Sequence, residues 1–227
     1  MAKCIIVGAG DFSKDFLHIE KDDYIIAADG GFEYLHAMGI LPHMWIGDMD
    51  STKMFGSNTQ GQNMQMVKLP REKDDTDTLA AIRIGIEKGY KEFSLHGMLG
   101  GRLDHTLANI FCLQFLISNG CNGILYGKDT IMLILQQQKI VFDSSLYGML
   151  SVFAWNGNAD GVTEKGLLYE IDNATLTPDF PVGVSNELIG KEAEITVLQG
   201  KLLISILPDT EKMMGIFPKK MFWIDEL

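Results

Sequence analysis

The chain has 227 residues, enough to bury a substantial core in one large domain or two small ones. Hydrophobic residues make up 46% and charged residues 22%, a composition typical of globular proteins. The net charge of −11 argues against nucleic acid or an anionic membrane as the main partner, because both attract basic surfaces. An acidic protein can still bind an anionic nucleotide where a metal ion and local arginines mask the repulsion.

Cysteine content and hydropathy indicate in which cellular compartment the protein is expected. The 3 cysteines form no CxxC pair, and an odd count does not suit a disulfide framework, so we expect buried, inert thiols. No run approaches the ~18 apolar residues of a membrane span. The N-terminus is too short for a signal peptide and lacks a cleavage region. These features predict a cytoplasmic protein.

The first half alternates strand and helix patterns. Short β-rich runs predict five strands, at 3–7, 24–28, 44–46, 92–96 and 123–126. Apolar residues at helical spacing predict helices over 75–88 and 103–118. Such alternation is typical of an α/β domain with a mainly parallel sheet flanked by helices. Ligands of such sheets bind outside the carboxyl ends of the strands.

The second half loses the helical period from about Thr130. Strands are predicted at 131–135, 140–142, 149–154, 167–171, 193–198 and 202–207. Turn pairs such as Asn156-Gly157 separate them, which favours an all-β, sandwich-like domain. A domain boundary or a hairpin would explain the glutamine run 136–138, and as a boundary it gives domains 1–136 and 137–227. Residues 52–66 are expected to form a polar, mobile loop.

Four stretches that contain aspartate begin at or just after the predicted strand ends of the first half. They are Asp29-Gly30-Gly31, Gly47-Asp48-Met49-Asp50-Ser51, Lys73-Asp74-Asp75-Thr76-Asp77 and Gly100-Gly101-Arg102-Leu103-Asp104-His105. Carboxylates gathered at one edge of a sheet repel one another unless a hard cation such as Mg²⁺ lies among them. A metal site beside a glycine-rich phosphate loop indicates phosphoryl chemistry.

Each stretch also has an ordinary structural explanation. Asp48 and Asp50 suit a divalent metal, but an Asx turn that closes a strand would also explain them. Residues 73–77 open a helix, where one aspartate is a normal cap, yet three aspartates in four residues exceed what capping requires. The DGG stretch is the weakest alone, because a strand end followed by a flexible turn explains it.

The stretch from Gly97 to His105 runs from a strand into a helix. Its glycines would let backbone N–H groups approach an anion, and Arg102 could fork onto phosphate oxygens. The alternative is a tight turn with Arg102 paired to Asp104. Asn109 lies one helical turn after His105 and could orient it. In the second half, residues 183–187 offer small polar groups for a heterocycle, although a plain loop explains them as well.

The chain resembles the thiamine pyrophosphokinase family in five motifs and in their order. They are DGG at 29–31, GDMDS at 47–51, KDDTDT at 73–78, GGRLDH at 100–105 and SN at 185–186. The resemblance implies transfer of the diphosphoryl group of ATP to the hydroxyl of thiamine, giving thiamine diphosphate and AMP. It also implies an α/β domain, a C-terminal β domain, and a homodimer with active sites at the subunit interface.

The resemblance assigns roles to individual residues. Charge placement for phosphoryl transfer favours catalytic roles for Asp74, Asp77 and Arg102, and the resemblance implies Mg²⁺ ligands at Asp48, Asp50 and Asp74. It implies ATP or phosphate contacts at Asp29, Lys73, Gly100, Gly101, Arg102 and His105. Thiamine contacts are implied at Asp104, Ser185 and Asn186. The acceptor of the substrate proton is left between Asp77 and Asp104.

The chain departs from the family in one respect, and two other functions stay open on the sequence. Some members place a tryptophan after the SN motif to stack on thiamine, but residues 200–207 hold no aromatic here, so either Trp223 substitutes or stacking is absent. Residues 48–52 also fit the DxDxT motif of haloacid-dehalogenase-like phosphatases, although that motif follows the first strand in those enzymes. The remaining alternative is a non-enzymatic nucleotide- or vitamin-binding module.

Overall fold

A computed structural model describes residues 2–47, 64–68, 75–213 and 221–227. The chain divides into two compact units, 1–128 and 129–227. The glutamine run predicts a boundary at 136/137, eight residues later. In the structure, the strand Ile131–Gln136 pairs along its length with Lys201–Pro208, and it is therefore part of the second unit.

Parallel strands form the sheet of the first unit. They are β1 (Cys4–Val7), β2 (Tyr24–Ala28), β3 (Met44–Gly47), β4 (Gln65–Lys68), β5 (Glu92–His96) and β6 (Asn122–Tyr126). Their order is β6-β5-β1-β2-β3-β4, and every pairing among them is parallel. Four-residue β1 is wholly buried, as its unbroken apolar run CIIV predicts for a central strand.

The predicted loop over 52–66 is wrong at its end, because Gln65 and Met66 belong to β4. This edge strand is largely exposed, and its four residues Gln-Met-Val-Lys show neither an apolar run nor an alternation that would predict a strand. Residues 52–63 of that loop lie outside the described ranges.

In the described part of this unit, three α-helices accompany the sheet, α1 (Gly31–Ala37), α2 (Asp77–Glu87) and α3 (Leu103–Ser118), and a short 3-10 helix spans Lys14–Phe16. The sequence predicted α2 and α3 but not α1, whose seven residues are too few to show a helical period. Gly31 lets α1 approach the sheet, since a Cβ there would fall on the Val7 carbonyl oxygen. Phe32 of α1 stacks on Trp45 at 4.4 Å between ring centroids.

The connections of this sheet reverse direction beside β1. The chain proceeds from β1 through β2 and β3 to β4 on one side, then crosses to β5 and continues to β6 on the other. Right-handed crossovers place α1 on one face and α2 with α3 on the opposite face, in agreement with the contact between α2 and α3. A crevice is expected where such a reversal occurs, at the carboxyl ends of β1 and β5.

The second unit consists of two antiparallel sheets. Its strands are β7 (Ile131–Gln136), β8 (Gln138–Phe142), β9 (Tyr147–Ala154), β10 (Ala159–Lys165), β11 (Ile171–Leu176), β12 (Asn186–Ile189), β13 (Ala193–Thr196), β14 (Lys201–Pro208) and β15 (Phe222–Glu226). One sheet has the order β12-β9-β14-β7 and the other β11-β10-β13-β8-β15. The all-β prediction is confirmed.

The two sheets of this unit contact each other through their buried faces. A hydrogen bond of 2.8 Å joins Asn186 Nδ2 of the first sheet to Glu164 Oε2 of the second, and both side chains are buried. The predicted strand at 167–171 is wrong in its bounds. Residues 159–165 and 171–176 form the hairpin there, and its polar side chains hid it from a hydrophobic pattern.

The cysteines behave as the sequence predicts. Cys4, Cys112 and Cys121 are buried free thiols. Burial raises the pKa of Cys4 to about 12 and that of Cys112 to about 11, so neither thiol is reactive at neutral pH. Among the described residues, none of the helices combines the length and the apolar character that crossing a bilayer requires.

Candidate active site

A cleft of about 500 Å³ lies at the reversal of strand order in the first unit. Its walls come from the segments after β1, β2 and β5 and from the first turns of α2 and α3. The lining includes Gly8, Gly10, Asp29, Asp77, Gly100, Gly101, Arg102, Asp104, His105 and Asn109. Two helix N-termini therefore open onto one cleft, and their partial positive charges favour an anion there.

The glycine-rich segment after β5 is shaped by left-handed backbone. Gly97, Gly100 and Gly101 have φ values of 63°, 83° and 64°, which glycine adopts without steric cost. The segment is tied to the one that follows β1, because Gly8 N donates to His96 O at 2.8 Å and Gly10 N donates to Gly97 O at 2.7 Å. These bonds fix the floor of the cleft before any ligand binds.

Asn109 holds the same segment from the side of α3. Its Nδ2 donates to the Met98 carbonyl oxygen at 2.7 Å, and the side chain is buried. The structure thus gives Asn109 a different partner from the predicted one, His105, which is exposed at the start of the helix. Met98 is also contacted from α2, because Thr78 Oγ1 lies 3.4 Å from the Met98 sulfur.

Arg102 and Asp104 form a bidentate ion pair at the mouth of the cleft. Arg102 Nε donates to Asp104 Oδ1 at 3.1 Å and its terminal nitrogen donates to Oδ2 at 2.6 Å. The hydrogen bond from Arg102 holds the pKa of Asp104 below its usual value. Because both side chains are exposed, solvent screens this pair and separating it costs little. The predicted pair between Arg102 and Asp104 is present, and Arg102 can still exchange this partner for a phosphate.

Asp29 and Asp77 both line the cleft. Asp29 follows β2 with φ 49°, its N–H donates to Ile46 O at 2.9 Å, and its carboxylate packs against Gly47, the residue before Asp48. Asp77 is the first residue of α2. The N-cap role belongs to Thr76, whose Oγ1 accepts from Leu79 N at 3.2 Å, so capping does not require the aspartate.

The residues predicted as metal ligands, Asp48, Asp50 and Asp74, lie outside the described residues, and so does Lys73. Within the described ranges, no group of three or more histidine, cysteine or acidic residues is arranged to hold a metal ion. The flanking backbone is informative all the same. Gly47 ends β3 beside the Asp29 carboxylate and Asp77 opens α2, so residues 48 and 74 are close in sequence to the walls of the cleft.

Ser185 and Asn186 lie in the second unit, at the start of β12. Ser185 has φ 62°, and its N–H donates to Ser151 Oγ at 3.2 Å. Asn186 is buried and bonds to the segment before β11. Trp223, considered as a substitute stacking residue, lies in β15 opposite Val141 and thus in the other sheet of this unit.

Sequence reasoning missed the segment Gly8-Ala9-Gly10 as part of the cleft. A Cβ on Gly10 would lie 2.6 Å from the Leu99 carbonyl oxygen, and one on Gly8 would lie 2.8 Å from the Met98 sulfur. Two glycines directly after the first buried strand were the signal that could have found this segment.

Known proteins similar to this chain agree on its family. A family model described as the thiamin pyrophosphokinase catalytic domain matches residues 17–125, and one described as the thiamin pyrophosphokinase vitamin B1 binding domain matches residues 137–202. Thiamine pyrophosphokinase of Bacillus subtilis (strain 168) is 25% identical over 181 residues, which cover 79% of this chain and 85% of that protein.

Solved structures share the fold. The crystal structure of thiamine pyrophosphokinase from Bacillus subtilis superposes with a TM-score of 0.79 at 22% identity, covering 91% of this chain and 99% of that one. Thiamin pyrophosphokinase from Candida albicans gives a TM-score of 0.73 at 14% identity, covering 91% and 90%. These structures show the shared fold. The two family models, which together match more than half of the chain, show that it belongs to the thiamin pyrophosphokinase family, the ATP-dependent diphosphokinases of thiamine.

Proposed function

We propose that the cleft of the first unit binds ATP with Mg²⁺ and transfers its diphosphoryl group to the hydroxyl of thiamine, releasing AMP. The observation that carries this proposal is the meeting of three strand ends and two helix N-termini at one cleft, with Arg102 at its mouth. The geometry suits a polyanion, because the helix termini and the guanidinium all favour negative charge.

The nucleotide phosphates are assigned to the segment after β5. Gly100 and Gly101 bring backbone close to phosphate oxygens, and Arg102 gives up Asp104 for a bidentate contact with phosphate. We place Asp29, Lys73 and His105 in the same role. Because Asn109 and the segment after β1 hold this backbone in place, little ordering entropy is lost when ATP binds.

Mg²⁺ is assigned to Asp48, Asp50 and Asp74. Hard carboxylate oxygens suit this ion, and the nearby Asp29 carboxylate adds negative charge beside the start of the Asp48 segment. When bound, Mg²⁺ would neutralise charge on the transferred group and on the AMP leaving group.

The acceptor of the thiamine proton is assigned to Asp77, with Asp104 as the weaker choice. Arg102 holds the pKa of Asp104 below its usual value, so this carboxylate is a poor base while the pair persists. A loose transition state needs little base assistance, and positioning with electrostatics supplies most of the catalysis. Asp104 and Ser185 are assigned to direct contact with thiamine, and Asn186 is assigned to the same site through the bonds it makes within the second unit.

A homodimer with active sites at the subunit interface completes the proposal. Leu103, Leu107 and Phe111 form an exposed apolar stripe on α3 at helical spacing, with Leu103 72% and Phe111 60% exposed. The stripe begins beside Asp104, at the mouth of the cleft. Leu107→Glu with Phe111→Glu should lower the molar mass measured by light scattering from dimer to monomer, whereas a monomeric wild type would contradict the proposal. We also place the reaction in the cytoplasm.

The decisive experiment measures AMP from ATP and Mg²⁺ with and without thiamine. Thiamine-dependent AMP together with thiamine diphosphate is the expected result. Release of inorganic phosphate with a trapped aspartyl-phosphate at Asp48 would instead support the dehalogenase-like phosphatase. Binding without turnover would support the non-enzymatic module. The DxDxT stretch follows β3 rather than the first strand, which already disfavours the phosphatase.

A variant pair tests the metal assignment. Asp74→Asn should abolish turnover and leave the circular dichroism spectrum unchanged. Asp75→Asn is the matched control, because it removes the same charge one residue away, where Asp75 Oδ2 pairs with Arg83 Nε at 3.3 Å. Equal activity of the two variants, both dependent on Mg²⁺, would rule out Asp74 as a ligand.

A further inference from the structure

The side-chain amide of Asn186 is fully used within the protein. Nδ2 donates to Glu164 Oε2 at 2.8 Å and to the Tyr169 carbonyl oxygen at 2.7 Å. Oδ1 accepts from Tyr169 N at 3.0 Å and from Glu187 N at 2.9 Å. A primary amide offers two donors and two acceptor lone pairs, so all four positions are taken. Asn186 therefore cannot bond a substrate without breaking a bond to its own chain.

The bonds to Tyr169 continue an antiparallel ladder along the outer edge of β12. Leu168 N donates to Glu187 O at 3.0 Å, and Leu167 bridges Leu188. In this register Tyr169 lies opposite Asn186, whose side chain bonds both backbone groups of the tyrosine. The amide thus replaces one rung of the ladder and holds the Tyr169 backbone at two points.

Two further contacts stiffen the segment. Gly166 N donates to Glu170 Oε1 at 2.7 Å, which closes the turn around Tyr169. Leu167 is buried with 3% exposure and anchors the segment in the core, whereas the residue Tyr169 is 65% exposed. A rigid backbone that presents an aromatic ring to solvent is typical of a ligand contact, because little ordering entropy is lost on binding.

We infer that Asn186 is a positioning residue and that the Tyr169 ring is the group that meets thiamine in the second unit. The inference rests on the proposed function. Thiamine carries a permanently cationic thiazolium ring and a flat aminopyrimidine, and a tyrosine face attracts the first and stacks on the second. Tyr169 then supplies the aromatic ring that residues 200–207 lack, and Glu164 accepts the second hydrogen bond from Asn186 Nδ2.

Steady-state kinetics separate this arrangement from direct contact by Asn186. Tyr169→Ala should raise KM for thiamine about 10-fold or more and leave KM for ATP within about 2-fold, while Tyr169→Phe keeps the ring and wild-type values. Phe180→Ala is the matched control. It removes the ring of another exposed residue of the same unit, 70% exposed, that lies outside the segment 166–170 held by Asn186. An unchanged thiamine KM in Tyr169→Ala, or a raised one only in Phe180→Ala, overturns the inference.

The double variant tests the positioning role. If Asn186 acts through Tyr169, Asn186→Ala raises the thiamine KM, and combining it with Tyr169→Ala adds no more than about 2-fold to Tyr169→Ala alone. Effects that multiply would mean that Asn186 contacts thiamine independently, and would overturn the positioning role. Tyr169→Ala changes only an exposed ring, so it stays informative if Asn186→Ala fails to fold. If the wild-type protein forms no AMP that depends on thiamine, the proposed function is wrong, and this inference is wrong with it.

Discussion

His96 at the end of β5 makes the stability of the first unit sensitive to acid. The ring is buried, stacks on Tyr126 at 4.7 Å between centroids, and its Nε2 lies 2.7 Å from Ser94 Oγ. Its Nδ1 is buried without a hydrogen-bond partner among the described residues. Burial, with smaller contributions from the charges of Lys3 and His18, lowers the pKa of His96 from 6.5 to about 3.

The sign of the effect follows from proton linkage. The folded pKa lies below the unfolded value, so the folded state binds fewer protons, and its stability falls once the pH drops below about 6.5. The loss continues down to about pH 3. At 1.36 kcal/mol per pKa unit it totals on the order of 5 kcal/mol, of which about 2 kcal/mol is lost between pH 8 and pH 5. Carboxylates with lowered pKa values stay ionised between pH 8 and pH 5, so they do not add to this change in stability.

We expect His96→Phe to abolish this component. At pH 8 the variant loses the bond to Ser94 and is less stable than wild type by about 1–3 kcal/mol, because a buried hydroxyl loses its partner. At pH 5 the deficit shrinks by about 2 kcal/mol. Urea unfolding followed by tryptophan fluorescence measures the free energy of unfolding at each pH. A Trp155→Phe, Trp223→Phe background leaves Trp45 to report on the first unit alone.

A second substitution separates titration from packing. His96→Leu packs differently and will have its own stability at pH 8, yet the change between pH 8 and pH 5, relative to wild type, should again be about 2 kcal/mol. The reasoning fails if either variant keeps the pH dependence of the wild type. That result would mean that the buried imidazole accepts a proton in the folded state at pH 5.

Other sites give further expectations. Asn109→Leu removes the bond to the Met98 carbonyl, and should destabilise by about 1–3 kcal/mol in urea unfolding and lower kcat/KM for ATP; unchanged kinetics would contradict its role in shaping the cleft. Arg102→Ala should raise KM for ATP roughly 10-fold or more, with Arg102→Lys intermediate because it keeps charge but not the bidentate fork. Burial raises the pKa of Glu164, so the ionised carboxylate costs stability as the pH rises through that pKa; Glu164→Gln should therefore gain in Tm over wild type more at pH 8 than at pH 4.5. Gly31→Ala should lower the free energy of unfolding by about 1–3 kcal/mol, and an unaffected Tm would show that α1 is free to shift.

The central strands of the first unit, β1, β2, β3 and β5, were predictable because they are buried on both faces. Such strands read as short apolar runs, and β1 and β5 were found within a residue of their ends. The elements that escaped prediction lack this signal. Helix α1 is too short to show a period, and β4 is a polar edge strand whose side chains are largely exposed.

The hydrogen-bond partners of individual side chains were harder to predict from the sequence than the helices and strands. Asn109 was expected to orient His105, one turn away on the same helix, but its amide bonds the Met98 carbonyl eleven residues earlier. Asn186 was assigned to thiamine through its motif, while its four bonds all go to residues of its own unit. A sequence shows which groups are polar, and the fold decides which of them meet.

The sequence by itself determined the fold class, the order of the motifs and the family, because buried strands, helix starts and acidic turns each leave local patterns along the chain. Only the tertiary structure decided that the segments after β1, β2 and β5 share one cleft, and that Asn186 clamps Tyr169. The physical reason is that parallel strands from distant parts of the chain end at a common edge. Which hydrogen bonds form there depends on packing distances of a few ångströms, and local pattern does not encode those.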